Sequence, residues 1–149
     1  MKDLLKRIVD DQAAASEVLQ GSAEPQYIEA LEIDTEAQLS AKLSGDFLTY
    51  LSLSNGTDFN GLVLYGANQS PDAPGPGGFW QGLIVTNLAW RESGDHRQYV
   101  ILGETGMDLL TADLKGENAT SLDRVSGDTI ERFPSVAAMI EFYLSSHYD

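Results

Sequence analysis

The stretch Phe47-Leu48-Thr49-Tyr50-Leu51-Ser52-Leu53-Ser54-Asn55-Gly56 is followed almost at once by Phe59-Asn60-Gly61-Leu62-Val63-Leu64-Tyr65-Gly66. Phe47, Tyr50, Leu51 and Ser54 fall at helical spacing, and Asn55-Gly56 supplies residues that tolerate positive φ where a helix ends. The period then changes to that of a buried strand at Leu62-Val63-Leu64-Tyr65, punctuated by Gly61 and Gly66. A helix that stops on Asn-Gly and feeds a core strand is the centre from which the rest of the chain is read.

Upstream, Leu5, Ile8, Gln12, Ala15 and Leu19 share one face, so residues 3–20 read as an amphipathic helix ended by Gly21-Ser22. Pro25 suits the first turn of a second, short helix carrying Tyr27, Ile28 and Leu31. Thr35 and Gln38 have capping-box spacing for a further helical run to Ser44-Gly45, and Asp46 is placed to cap the helix that reaches Asn55. Downstream the pattern predicts strands at 61–66, 82–87, 98–103, 107–113, 119–125 and 128–132, with a hairpin turn at Gly103-Glu104-Thr105-Gly106. Residues 67–81, rich in Pro and Gly, read as a long loop of the kind that often carries function. A last helix at 135–146 places Val136, Ile140, Tyr143 and Leu144 on one face. Helices first, then consecutive strands, then a helix predicts one α+β domain over residues 1–149. Its N-terminal helices and C-terminal helix would pack on one face of an antiparallel sheet of about five or six strands.

These blocks resemble the SUKH superfamily. Leu43, Asp46, Phe47, Tyr50, Leu51, Asn55 and Gly56 match its helix ending in Asn-Gly, and the run from Asn55 to Tyr65 is most similar to the YrhA-like branch. Tyr99-Val100-Ile101-Leu102-Gly103-Glu104 resembles a second family block, a strand ending in Gly-Glu. Asp108 to Leu114 resembles the strand paired with it, and Phe133-Pro134-Ser135-Val136 to Leu144 resembles the closing helix. The likeness spans roughly residues 25 to 146; Ser44-Gly45 departs from the usual Leu-Pro, and the loop at Asp72-Ala73-Pro74-Gly75-Pro76-Gly77-Gly78 is longer than expected. The resemblance implies an immunity protein that binds a cognate toxin, often a nuclease, and blocks it without chemistry of its own.

Charge points the same way. The net charge is −14, and between Ile8 and Trp90 there are eleven Asp/Glu residues against one cation, Lys42. Such a field repels nucleic acid and anionic membranes and attracts basic surfaces. Acidic charge also serves solubility alone. A hydrophobic content of 42% with 21% charged residues is that of a folded chain. No apolar run approaches a membrane span. The mixed charges of Met1-Lys2-Asp3-Leu4-Leu5-Lys6-Arg7 do not read as a signal peptide, and the chain has no cysteine. The expected location is the cytoplasm. Sequons at Asn55, Asn68 and Asn118 are then chance matches.

Catalytic constellations fail one by one. His96 lies in a polar turn and His147 near the chain end, and neither setting restrains a general base. Gly56-Thr57-Asp58-Phe59-Asn60-Gly61 has P-loop glycine spacing, but Leu62 stands where the lysine must be. Asp58-Phe59-Asn60-Gly61 lacks the ligand spacing and bidentate glutamate of a calcium loop, and reads instead as a turn bonded to local backbone. Paired-carboxylate hydrolysis needs a separation that spacing does not give. The expectation is therefore a non-enzymatic protein with no catalytic residue, metal or cofactor. It would be a monomer by default and bind a basic toxin through Asp58, Asn60, Asp72, Phe79, Trp80, Glu104 and Asp108. Phe79 and Trp80 end the flexible loop, where an aromatic serves either as core or as interface anchor. The alternatives are an adaptor or regulatory module on the same fold, binding a protein unrelated to toxins, and a small enzyme.

Overall fold

The structure, a computed structural model, describes residues 1–148. Three helices, α1 (Lys2–Ala14), α2 (Pro25–Leu39) and α3 (Gly45–Leu53), precede β1 (Thr57–Phe59) and β2 (Leu62–Leu64). Helix α4 (Leu83–Glu92) follows, then β3 (Tyr99–Glu104), β4 (Asp108–Asp113), β5 (Ala119–Asp123), β6 (Thr129–Phe133) and α5 (Val136–Tyr148). The six strands form one antiparallel meander in sequence order. The α+β architecture with helices packed on an antiparallel sheet is thus as the sequence predicts.

Its details depart from the prediction in several places. Residues 82–87 are not a strand: α4 buries Leu83, Thr86, Asn87 and Arg91, which is helical spacing. The sixth strand is instead β1, joined to β2 by Asn60-Gly61, whose φ values of 49° and 85° are those of a type I′ turn. Helix α2 is continuous through Thr35, which caps nothing. That hydroxyl is buried and donates to the Leu31 carbonyl at 2.7 Å. Helix α1 stops at Ala14. Both faces of the central strands are covered, since Val100, Ile101 and Leu102 are consecutive and all buried.

The helix caps are redistributed as well. Ser44, not Asp46, caps α3 by accepting from the Phe47 N–H. Asp46 Oδ2 instead accepts the Ala137 N–H at 3.0 Å, in the first turn of α5, where a carboxylate also meets the positive end of the helix dipole. Ser135 Oγ takes the Ala138 N–H beside it.

Each sheet edge carries one feature that interrupts further pairing. On β1, the Asp58 carbonyl receives Gln12 Nε2 from α1 at 3.3 Å. On β6, Ile130 is an extra residue between Thr129, opposite Leu122, and Glu131, opposite Ser121, so the outer strand is bulged there. Strand β3 has an open side beyond the end of β2, and Asn87 fills it. Its side chain accepts the Ile101 N–H at 2.8 Å and donates to the Ile101 carbonyl at 2.8 Å, as a neighbouring strand would.

Candidate interaction surface

The Pro-Gly loop is a fixed ledge. Gly66 and Gly82 bridge its ends, with Gly66 N–H to the Gln81 carbonyl at 3.0 Å and Leu83 N–H to the Gly66 carbonyl at 2.8 Å. A Cβ on Gly82 would lie 2.1 Å from the Gln69 carbonyl oxygen, so only glycine permits this approach. Asn55 holds the other side. Its Oδ1 accepts the Ala67 N–H at 2.7 Å, its Nδ2 donates to Asn68 Oδ1 at 2.9 Å, and its carbonyl accepts Gln69 Nε2 at 2.8 Å. Asn55-Gly56 is therefore less a helix cap than a clamp on the loop. α3 ends at Leu53 with Ser54 extended, and Gly56 follows at φ +98° with Phe79 packed over its Cα.

Phe79 is the buried anchor of the ledge, 7% exposed, while Trp80 beside it is 42% exposed. Trp80 lines three adjoining concavities. One, about 340 Å³, includes Gln12, Glu17, Gln20, Asp58 and Phe79. A second, about 290 Å³, includes Thr86, Trp90, Glu104 and Arg124. The third, about 300 Å³, is bounded by Pro71, Pro74 and Gly78.

Of the residues predicted from sequence, the fold brings Asp58, Phe79 and Trp80 to one cavity, with exposed Asp72 on the same loop. Glu104 shares the second cavity with Trp80, but it is engaged within the protein. It accepts the Tyr65 hydroxyl and pairs with Arg124 at 3.3 Å. Burial, and then the Glu104 carboxylate, hold the Tyr65 phenol far above its usual pKa. Arg124 also donates to the Thr105 carbonyl at 2.8 Å and lies 5.3 Å over the Trp90 ring, whose other neighbour is the His96 imidazole at 5.1 Å.

Asn60 and Asp108 lie apart from this group. The turn at Asn60 does not bond to local backbone as the sequence predicts; its Nδ2 donates to the His147 carbonyl at 2.9 Å, in the last turn of α5. Asp108 accepts the Tyr143 hydroxyl at 2.6 Å, and burial together with that bond pushes the Tyr143 pKa up to about 12. Sequence reasoning missed Glu17 and Gln20 altogether. Gln12 left one signal, a polar residue in the apolar stripe of α1.

Among the described residues, the ion pairs join Met1 to Glu141, Lys6 to Asp10 and Arg124 to Glu104. The remaining described carboxylates have no cation within 4.0 Å, which leaves the acidic field largely uncompensated. No group of His, Asp or Glu side chains among the described residues is arranged to hold a metal ion, and no helix is long and apolar enough to cross a membrane. No protein-family model matches the chain, and no curated protein matches it either.

Proposed function

We propose that this protein is a non-enzymatic immunity protein of the SUKH kind, acting in the cytoplasm by binding and occluding a basic toxin. The observation that carries this reading is the uncompensated acidic surface beside the Trp80 ledge. A toxin that acts on nucleic acid presents cations to phosphate, and an acidic protein competes for those cations and associates fast. A rigid ledge bearing a half-exposed tryptophan supports the same reading, because an anchor that is already ordered loses little entropy on binding. Glu104 and Asp108 are not the contact residues in this scheme, being spent on Arg124, Tyr65 and Tyr143; exposed Asp58 and Asp72 are.

Affinity purification from the native host, with mass spectrometry of the bound protein, tests the proposal. The expected outcome is a single basic partner whose toxicity is lost on stoichiometric addition. Association should slow when Asp58→Lys and Asp72→Lys are combined, and also with salt, since the Debye length falls from about 10 Å at 0.1 M to about 3 Å at 1 M. An association rate indifferent to both would remove the electrostatic mechanism. The adaptor reading predicts a partner that has no toxic activity, and a toxin gene next to this one would count against it.

A further inference from the structure

The cavity between Trp80 and the α1–α2 connection offers hydrogen-bond acceptors and no cation. Gln12 is 8% exposed and lines it. Its Nε2 faces the Asp58 carbonyl, which can only accept, so its Oε1 is the free end; that oxygen receives no hydrogen bond from the described residues. Gln20 repeats the arrangement, with Nε2 donating to the Pro76 carbonyl at 2.8 Å and the oxygen left over. The carboxylates of Glu17 and Asp58 complete the lining, and among the described residues neither has an ion-pair partner and no Lys or Arg borders the space. Trp80 supplies an indole face on which no cation or aromatic ring is stacked among the described residues.

Acceptors on one side, a π-face on another and a volume of about 340 Å³ define a narrow guest. It must be cationic, rich in N–H donors, planar and slender. A lysine ammonium meets the charge but not the shape, whereas a guanidinium spreads its donors in a plane and stacks on indole. We infer that this cavity receives the side chain of an arginine presented by the basic protein partner, with Trp80 as its stacking face and Glu17, Asp58, Gln12 and Gln20 as acceptors. The inference rests on the proposed function for the identity of that partner, though not for the chemistry of the cavity.

The test is a titration of isotope-labelled protein with a capped Gly-Arg-Gly tripeptide, followed by NMR. The expected result is weak, saturable shifts at the Trp80 indole N–H and the Gln12 and Gln20 side-chain amides. The matching lysine peptide should bind about threefold or more weaker, and the neutral citrulline peptide should give no response. Combining Glu17→Gln with Asp58→Asn, both exposed positions, should weaken binding by about tenfold while leaving the remaining spectrum in place. Trp80→Ala should do the same and Trp80→Phe recover part of it. Equal responses to arginine and citrulline, shifts confined to other surfaces, or binding unchanged in the variants would overturn the inference. The two proposals fail separately. A basic toxin that binds these variants as tightly as the parent sinks the arginine site and leaves the immunity reading intact. Peptide responses as described, with no basic partner found, do the reverse.

Discussion

Asn87 is fully buried, and among the described residues its side chain supplies the hydrogen-bond partners of the Ile101 backbone on the open side of β3. Replacing it by leucine keeps the branched shape, with bulkier methyl ends, but removes every side-chain hydrogen bond. The Ile101 N–H and carbonyl would then be buried without partners, at about 1–3 kcal/mol each. The loss should total about 2–6 kcal/mol, a large share of the roughly 5–15 kcal/mol by which a domain is stable. At about 2–4 °C per kcal/mol for a chain of this size, the melting midpoint should fall by about 4–24 °C. Asn87→Asp separates geometry from packing: it can still accept the Ile101 N–H, but turns an oxygen toward the Ile101 carbonyl, so it should be no better than leucine. Urea unfolding followed by circular dichroism measures the loss directly. A Leu variant within about 1 kcal/mol of the parent would mean that water or a shifted strand satisfies Ile101, and that α4 is not held by this side chain.

Other outcomes follow from the same structure. Gly56→Ala would place a Cβ 2.5 Å from Phe79 Cε2 at a φ of +98°, so it should cost about 1–3 kcal/mol and red-shift Trp80 fluorescence as the ledge loosens; an unchanged midpoint and spectrum would refute the clamp. Burial works to raise the Asp113 pKa, but the Glu117, Asn118 and Lys115 N–H groups and the Asn118 amide outweigh it and hold the carboxyl below its usual range. Its contribution is therefore present above the unfolded value near about 3.9 and is lost as pH falls through the lower folded value. Asp113→Asn should accordingly show a shallower drop in urea stability on acidification than the parent. Tyr143 has the opposite sense: its raised pKa of about 12 gives stability that is complete below about 10 and is lost as pH rises toward 12. A tyrosinate absorbance titration in which all tyrosines ionise near about 10 in the folded protein would contradict it.

The parts of the fold that repeat locally were legible in the sequence. Strands β3 to β6 read correctly because each pairs with its sequence neighbour, and α5 because its apolar face repeats over several turns. Residues 82–87 misled because Ile84, Val85 and Thr86 are β-branched, a local preference that the burial of Leu83, Thr86, Asn87 and Arg91 on one helical face overrides. The capping reading of Thr35 and Asp46 failed for a different reason. Spacing reports what a side chain can reach within its own helix, whereas Asp46 reaches residue Ala137 and Thr35 points into the core. The cavity was half legible. Asp58, Phe79 and Trp80 stood out by type and loop setting, but Glu17 and Gln20 join them only through the tertiary approach of the α1–α2 connection to the loop.

The Asp46 contact with the start of α5 links residues 91 positions apart, and α5 also packs on α1 and α3. Helices α1 and α3 thus lack part of the surface they rest on until α5 is synthesised, whereas α2 can already pack on α3 and α4. At about 5–20 residues per second the wait from the end of α3 to the end of α5 is roughly 5–20 s, during which the β3–β6 meander can close from adjacent hairpins while the α5-facing sides of α1 and α3 remain uncovered. Premature termination before α5 would leave bare the sides of α1 and α3 that it covers, so quality control during translation would meet such fragments as chaperone substrates instead of weakened versions of the native protein.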